Sequence, residues 1–246
     1  MTFNVLKINH LLYFTLLSAV IIGGCSERSN TLKKPIIKPG IWHMGMEIEG
    51  AYINLRFEVD TALNFALLNG EERIVITDRL LQGDSISLTM PRYESRFTAN
   101  IISNSKMKGS WSNLAKEDYS IPFEANYLNS TDMRGQWSVD SKMKYDVTFS
   151  PGTDDAYPAI GVFEKHDEHL RGTFLTETGD YRFLEGTLTD NQLSLSCFDG
   201  AHMFLFRGEV KGDSIINGVF NSGKHYHESW SAALNPNATL THPDSL

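Results

Sequence analysis

From Gly40 onward the chain alternates apolar and polar residues with period two, and no stretch sustains a helical period. Ile86, Leu88 and Met90 interleave with Ser85, Ser87 and Thr89, and Leu193, Leu195 and Cys197 interleave with Ser194 and Ser196. Successive side chains of a strand point to opposite faces, so this alternation specifies strands with one face in a core and one in water. Turn-forming pairs separate the runs: Asn69-Gly70, Gly83-Asp84, Pro151-Gly152, Gly179-Asp180, Asp199-Gly200 and Gly212-Asp213.

Two short repeats sharpen this reading. Gly-Asp-Ser-Ile occurs at Gly83 and again at Gly212. A glycine two residues before an aromatic recurs in Gly109–Trp111, Gly135–Trp137, Gly172–Phe174 and Gly218–Phe220. A strand glycine in that position marks a bend or close backbone contact beside a large ring that fills the core. The fold class expected is therefore all-β, an antiparallel meander. A barrel-like form is favoured because closure removes exposed edges; a sandwich is the alternative.

The 246 residues suit one large β domain or two small ones. A formal net charge of -8, with no basic cluster interleaved with aromatics, excludes a nucleic-acid binder, which needs a basic face.

The first residues belong to a different regime. Lys7 precedes an uncharged run from Leu11 to Ile22, followed by Gly23-Gly24-Cys25. That run falls in the roughly 7–15 residues of a signal-peptide core and short of the about 20 needed to span a bilayer. Ile22-Gly23-Gly24-Cys25 resembles the lipobox of bacterial lipoproteins. The resemblance implies a signal peptide over 1–24 and attachment of palmitate-type acyl chains at Cys25. A polar tether then covers 25–39 before the β-rich domain at 40–234. Each buried methylene contributes roughly 0.8 kcal/mol, so several acyl chains hold where one does not. Ser26 after the cysteine implies sorting to the outer membrane, with the membrane as first partner.

The run Gly172-Thr173-Phe174-Leu175-Thr176-Glu177-Thr178-Gly179-Asp180-Tyr181-Arg182-Phe183-Leu184-Glu185-Gly186, followed by Leu195-Ser196-Cys197-Phe198-Asp199-Gly200-Ala201-His202-Met203-Phe204-Leu205-Phe206, carries a second resemblance. It looks like the β-rich N-terminal region of TlpA-type thiol–disulfide reductases of Bacteroidota-like bacteria. The likeness spans most of Gly40 to Leu234 and is strongest from Gly161 to Phe220. In that family a thioredoxin-like domain with a Cys-x-x-Cys pair follows. This chain has no such pair, and its tail at 235–246 looks like the linker to that domain. Thiol exchange needs a second sulfur to resolve the mixed disulfide, so reductase activity does not carry over. What the resemblance implies is an accessory role beside a thioredoxin-like partner.

Cys197 shares a strand face with Leu193 and Leu195 and is expected to be buried as a small hydrophobe. His225 and His227, two apart with Glu228 adjacent, would share a strand face, a two-ligand pattern for zinc or copper. No third ligand can be assigned, and no metal or cofactor is expected. His166 and His169 flank Asp167-Glu168 in a predicted hairpin turn. Glu177, Asp180, Arg182, Asp199 and His202 form the candidate polar cluster if their segments pair, with His202 facing the interior alongside Phe204 and Phe206. Gly-x-Ser-x-Gly, His-Glu-x-x-His and a phosphate-binding loop are all missing. Asp60-Thr61-Ala62, Asp84-Ser85-Ile86, Asp213-Ser214-Ile215 and Asp244-Ser245-Leu246 resemble a short bacterial O-glycosylation signal, although turn chemistry explains them equally well. The function expected is that of a membrane-tethered, non-enzymatic interaction module. The alternatives are a ligand-binding barrel with Trp111, Trp137, Phe174 and Phe204 lining a cavity, and an enzyme of unknown type.

Overall fold

The computed structural model describes residues 37–48, 50–128 and 139–240. The signal segment, Cys25 and Trp137 lie outside the described residues.

The described chain is all-β and forms two antiparallel sheets, each curled around its own core. The first holds β1 (Gly40–Ile48), β2 (Ala51–Val59), β3 (Phe65–Asn69), β4 (Glu72–Ile76) and β5 (Asp78–Gln82), then β6 (Ser85–Thr89), β7 (Ser95–Ser103), β8 (Lys106–Asn113) and β9 (Ser120–Tyr127). The second holds β10 (Ser141–Phe149), β11 (Tyr157–His166), β12 (His169–Thr176), β13 (Gly179–Asp180) and β14 (Leu184–Thr189), then β15 (Gln192–Phe198), β16 (Met203–Lys211), β17 (Ser214–Ser222) and β18 (Tyr226–Leu234).

The first sheet runs β4-β3-β2-β1-β9-β8-β7-β6-β5. Its two edge strands, β4 and β5, are consecutive in the chain with Thr77 between them, so the sheet is a barrel that stops short of closing. In the second, β10 pairs with β18 and β11 pairs with β12, which closes an eight-stranded barrel. The favoured barrel-like form, and not the sandwich alternative, describes both halves.

The period-two pattern sets the inside and the outside. Burial alternates strictly along β2, with Ala51, Ile53, Leu55, Phe57 and Val59 inside. In β15, Leu193, Leu195 and Cys197 face the second core, as the alternation predicted. The repeated Gly-Asp-Ser-Ile does the same job twice. Gly83 (φ 61°) and Gly212 (φ 60°) turn the β5–β6 and β16–β17 hairpins in the left-handed region, and Ile86 and Ile215 then enter the two cores. The glycine-before-aromatic repeat marks close approach. A Cβ on Gly172 would lie 2.1 Å from the Val162 carbonyl and 2.6 Å from the Phe163 ring, while Phe174 two residues on is fully buried.

Aromatic rings fill the second barrel. Phe174 stacks on Phe206 at 4.4 Å and Phe206 on Phe220 at 4.3 Å, with Phe149, Phe163 and Trp230 around them. In the first barrel Trp42, Phe57 and Phe65 form a stacked row, and only about 30 Å³ of space lies between Met44, Phe57, Phe97 and their neighbours. Both chain segments expected to act as connectors are partly docked. Ile37 is buried in the first core, and Ala238 and Leu240 pack on Ile160 outside the second.

Candidate functional site

The two barrels lock together through residues that alternation places on their outsides. Phe198, Met203 and Leu205 belong to β15 and β16 of the second barrel, yet they complete the core of the first, where Phe198 lies edge-on to Phe97 (5.5 Å) and Trp111 (5.4 Å). Backbone and side-chain pairing reinforces the junction. Asn69 Nδ2 donates to the Phe198 carbonyl (2.9 Å) and its Oδ1 accepts from the Phe198 amide (3.1 Å). Ser95 donates to the Gly200 carbonyl, Arg182 pairs with Glu72, and the Lys224 amide donates to the Tyr119 hydroxyl at 2.9 Å.

Beside this junction lies a cleft of about 510 Å³ between the barrels. The outer faces of β1 and β2 supply His43, Tyr52, Asn54 and Arg56. The β11–β12 turn and the outer faces of β12, β14 and β15 supply His166, His169, Arg171, Glu185, Thr187 and Ser196. At its floor Arg56 donates to Glu185 through Nε (2.6 Å) and a second nitrogen (2.5 Å), and the Gly70 amide donates to the same carboxylate at 2.8 Å. Both side chains are mostly withdrawn from water, 12% and 16% exposed, so this is a strong two-point contact across the barrels. His43 stands opposite Arg56 in the β1–β2 ladder. Burial, then the nearby guanidinium, push its pKa below the usual imidazole value, and Glu185 opposes them. Neutral imidazole is thus the favoured form. The cleft offers hydrogen-bond donors, acceptors and imidazoles alongside apolar surface, with Tyr52 64% exposed at its edge.

The polar cluster expected from sequence divides among separate tasks. Arg182 reaches across to Glu72 in the first barrel. Asp180 accepts from the Arg182 amide, and Glu177 sits in the β12–β13 turn. Asp199 accepts from the amides of Ala201 (2.8 Å) and His202 (2.7 Å) and faces the His202 ring at 3.0 Å, which shapes the β15–β16 turn. The interior position expected for His202 is not observed. Its side chain is 57% exposed, with the ring lying parallel to Phe204 at the barrel end.

Other expected placements also change. His225 sits in the β17–β18 turn against Tyr119, while His227 is on the strand and exposed, so the two do not share a site. Glu228 points to the opposite side, into the barrel. Among the described residues no three His, Cys, Asp or Glu side chains are grouped to hold a metal ion. His166 and His169 do flank a hairpin turn, and both line the cleft. Cys197 is 1% exposed and burial pushes its thiol pKa well up. The aromatic residues proposed to line one cavity do not share one: Trp111 packs in the first core, and Phe174 and Phe204 in the second.

Sequence reasoning missed His43, Tyr52, Arg56 and Glu185, because the cleft unites segments 129 residues apart. One signal was readable. Met203-Phe204-Leu205-Phe206 is apolar on both strand faces, the pattern of a strand buried on two sides.

Fold and cleft together define a class: an all-β protein of two docked barrels with packed interiors and a groove of mixed polar and apolar lining between them. No family model matches the chain, and no curated protein does. Among solved structures it resembles HpuA from Kingella denitrificans, seen in complex with human haemoglobin, at 12% identity and a TM-score of 0.29 over 86% of this chain and 93% of that one. It also resembles the Bacillus subtilis inhibitor of motility (MotI/DgrA), at 10% identity and a TM-score of 0.16 over 85% and 92% of the two chains. Likenesses this distant carry no argument about what this chain binds.

Proposed function

We propose that this chain is a lipid-tethered protein of the bacterial envelope, anchored in the outer membrane through Cys25, that works by binding a partner protein and not by catalysis. The carrying observation is the interbarrel cleft itself, a concave surface of about 510 Å³ between two barrels whose interiors are packed. Tyr and Arg side chains around it are of the kinds that anchor protein interfaces. Members of the candidate polar cluster are held in turn and interbarrel contacts, which favours binding over chemistry. The lipobox supports the anchor. The resemblance of 172–206 to the reductase N-terminal region supports a thioredoxin-like protein as partner.

Photocrosslinking in cells tests this reading. A benzophenone amino acid at Tyr52 or His169 should capture one discrete protein, and the same group at Ile102, exposed on the first barrel outside the cleft, should not. A thioredoxin-like protein in the captured band supports the redox branch, whereas a different protein removes that branch and keeps the binding role. Equal capture from all three positions, or none from the cleft, overturns the proposal.

A further inference from the structure

Charge along the cleft floor does not balance. Lys142, Glu164, Arg171 and Glu185 stand opposite one another in turn across β10, β11, β12 and β14, forming one outward row of the second barrel. Opposite charges paired across strands satisfy each other, and Lys142 meets Glu164 at 2.7 Å. The last two members of that row, Arg171 and Glu185, line the cleft. There Arg56 arrives from the first barrel and brings a third cation to a row with two carboxylates. Glu185 is heavily engaged, since it accepts two bonds from Arg56 and one from the Gly70 amide. Arg56 has capacity left. A guanidinium carries five N–H donors, and Glu185 takes two of them.

His43 adds a conditional charge beside this excess. It faces Arg56 on β2, Asn126 on β9 and Glu185 on β14, with Arg171 of β12 on the same floor. Burial and then the Arg56 guanidinium favour its neutral form, and its protonation would bring another cation to the floor. The acids nearer the mouth are committed elsewhere. Asp167 lies on the β11–β12 turn with its side chain 81% exposed, and Asp140 accepts from the Asp167 amide and faces His166. A carboxylate arriving at the floor therefore meets charge-assisted donors, whose bonds are about twice as strong as neutral ones. The whole chain carries a net charge of -8, which repels a broadly acidic surface at long range and leaves a single acidic side chain as the group that fits.

Building on the reading of the cleft as a partner-binding surface, we infer that it takes one aspartate or glutamate side chain of the partner protein, with Arg56 and Arg171 as donors to its carboxylate and His43 beside it. The bound anion favours the imidazolium form, so binding takes up a proton at His43 and tightens as pH falls.

The test titrates the full chain in octyl glucoside with Nα-acetyl-glutamic acid α-amide, and with Nα-acetyl-glutaminamide as its uncharged isostere. NMR of the His43 imidazole reads both binding and the His43 pKa. The acid should bind and raise that pKa, and the isostere should bind at least about tenfold more weakly. Asn54→Asp, at an exposed cleft position, should weaken the acid about tenfold, and Arg171→Gln about fivefold or more. Lys108→Gln removes one positive charge outside the cleft and should leave binding unchanged. Equal binding of the isostere, an unmoved His43, unchanged affinity in both cleft variants, or an equal loss in Lys108→Gln overturns the inference. Silence of the acid alongside photocapture from Tyr52 overturns the acidic side chain and keeps the cleft reading. Binding of the acid without photocapture supports the carboxylate site and removes the partner reading.

Discussion

Removing either member of the Arg56–Glu185 pair should destabilise the whole body far more than removing both. In Arg56→Met the Glu185 carboxylate, 16% exposed, keeps the Gly70 amide as a donor and loses its counter-ion. Leaving one charge of a buried pair uncompensated costs about 3–5 kcal/mol. Glu185→Leu strands the Arg56 guanidinium, 12% exposed, and also orphans the Gly70 amide, so it lies at the upper end of that range. The double variant removes both charges and leaves one orphaned amide, a loss of about 1–3 kcal/mol. The two single losses sum to well above that figure, so a double-mutant cycle should give a coupling of several kcal/mol. Urea unfolding followed by tryptophan fluorescence suits the measurement, since Trp42 and Trp111 report on the first core and Trp230 on the second. Single losses below about 1 kcal/mol that simply add in the double variant would mean an ordinary solvated ion pair, and would refute the reasoning.

Further outcomes follow from other contacts. Phe198→Ala should cost about 3–5 kcal/mol and, in hydrogen exchange, loosen β7 and β8 of the first barrel although the residue belongs to the second. His43 has a folded pKa below its ordinary 6.5, so the unfolded chain takes up the proton first. Stability should therefore fall as pH drops from about 6.5 to the folded value and level off below it, and His43→Gln should abolish that slope in pH-dependent urea melts. Gly172→Ala drives a methyl group into the Val162 carbonyl and should lower stability by about 1–3 kcal/mol or more in the same melts. Cys197 should react with a thiol reagent only as fast as the protein unfolds, and prompt labelling of the native chain would contradict its burial.

Much of the fold was legible because strand periodicity is local. Ser85–Thr89 and Gln192–Phe198 show their faces in a few residues, and the two Gly-Asp-Ser-Ile turns repeat one backbone solution in two hairpins. The division into two barrels was not legible. It depends on β1 pairing with β9 and β10 with β18, long-range ladders that alternation does not specify. Polar residues proved the hardest to place. Asp199 and His202 belonged to the candidate polar cluster and together serve one turn, whereas Arg56 and Glu185 looked like ordinary outward strand residues and join the barrels. A residue on the outer face of one barrel reads as solvent-exposed until the second barrel lies against it. Glu228 shows the converse, a charge on the inward face of a strand whose hydroxyl partners come from β11 and the preceding loop.

The anchor is the claim on which the proposed role rests, and intact-mass analysis of the chain from fractionated cells tests it most directly. The account predicts protein in the outer-membrane fraction, starting at Cys25, with the added mass of acyl chains, and a soluble or unprocessed form for Cys25→Ser. Protein recovered from the cytosol with an unmodified Met1 would contradict it.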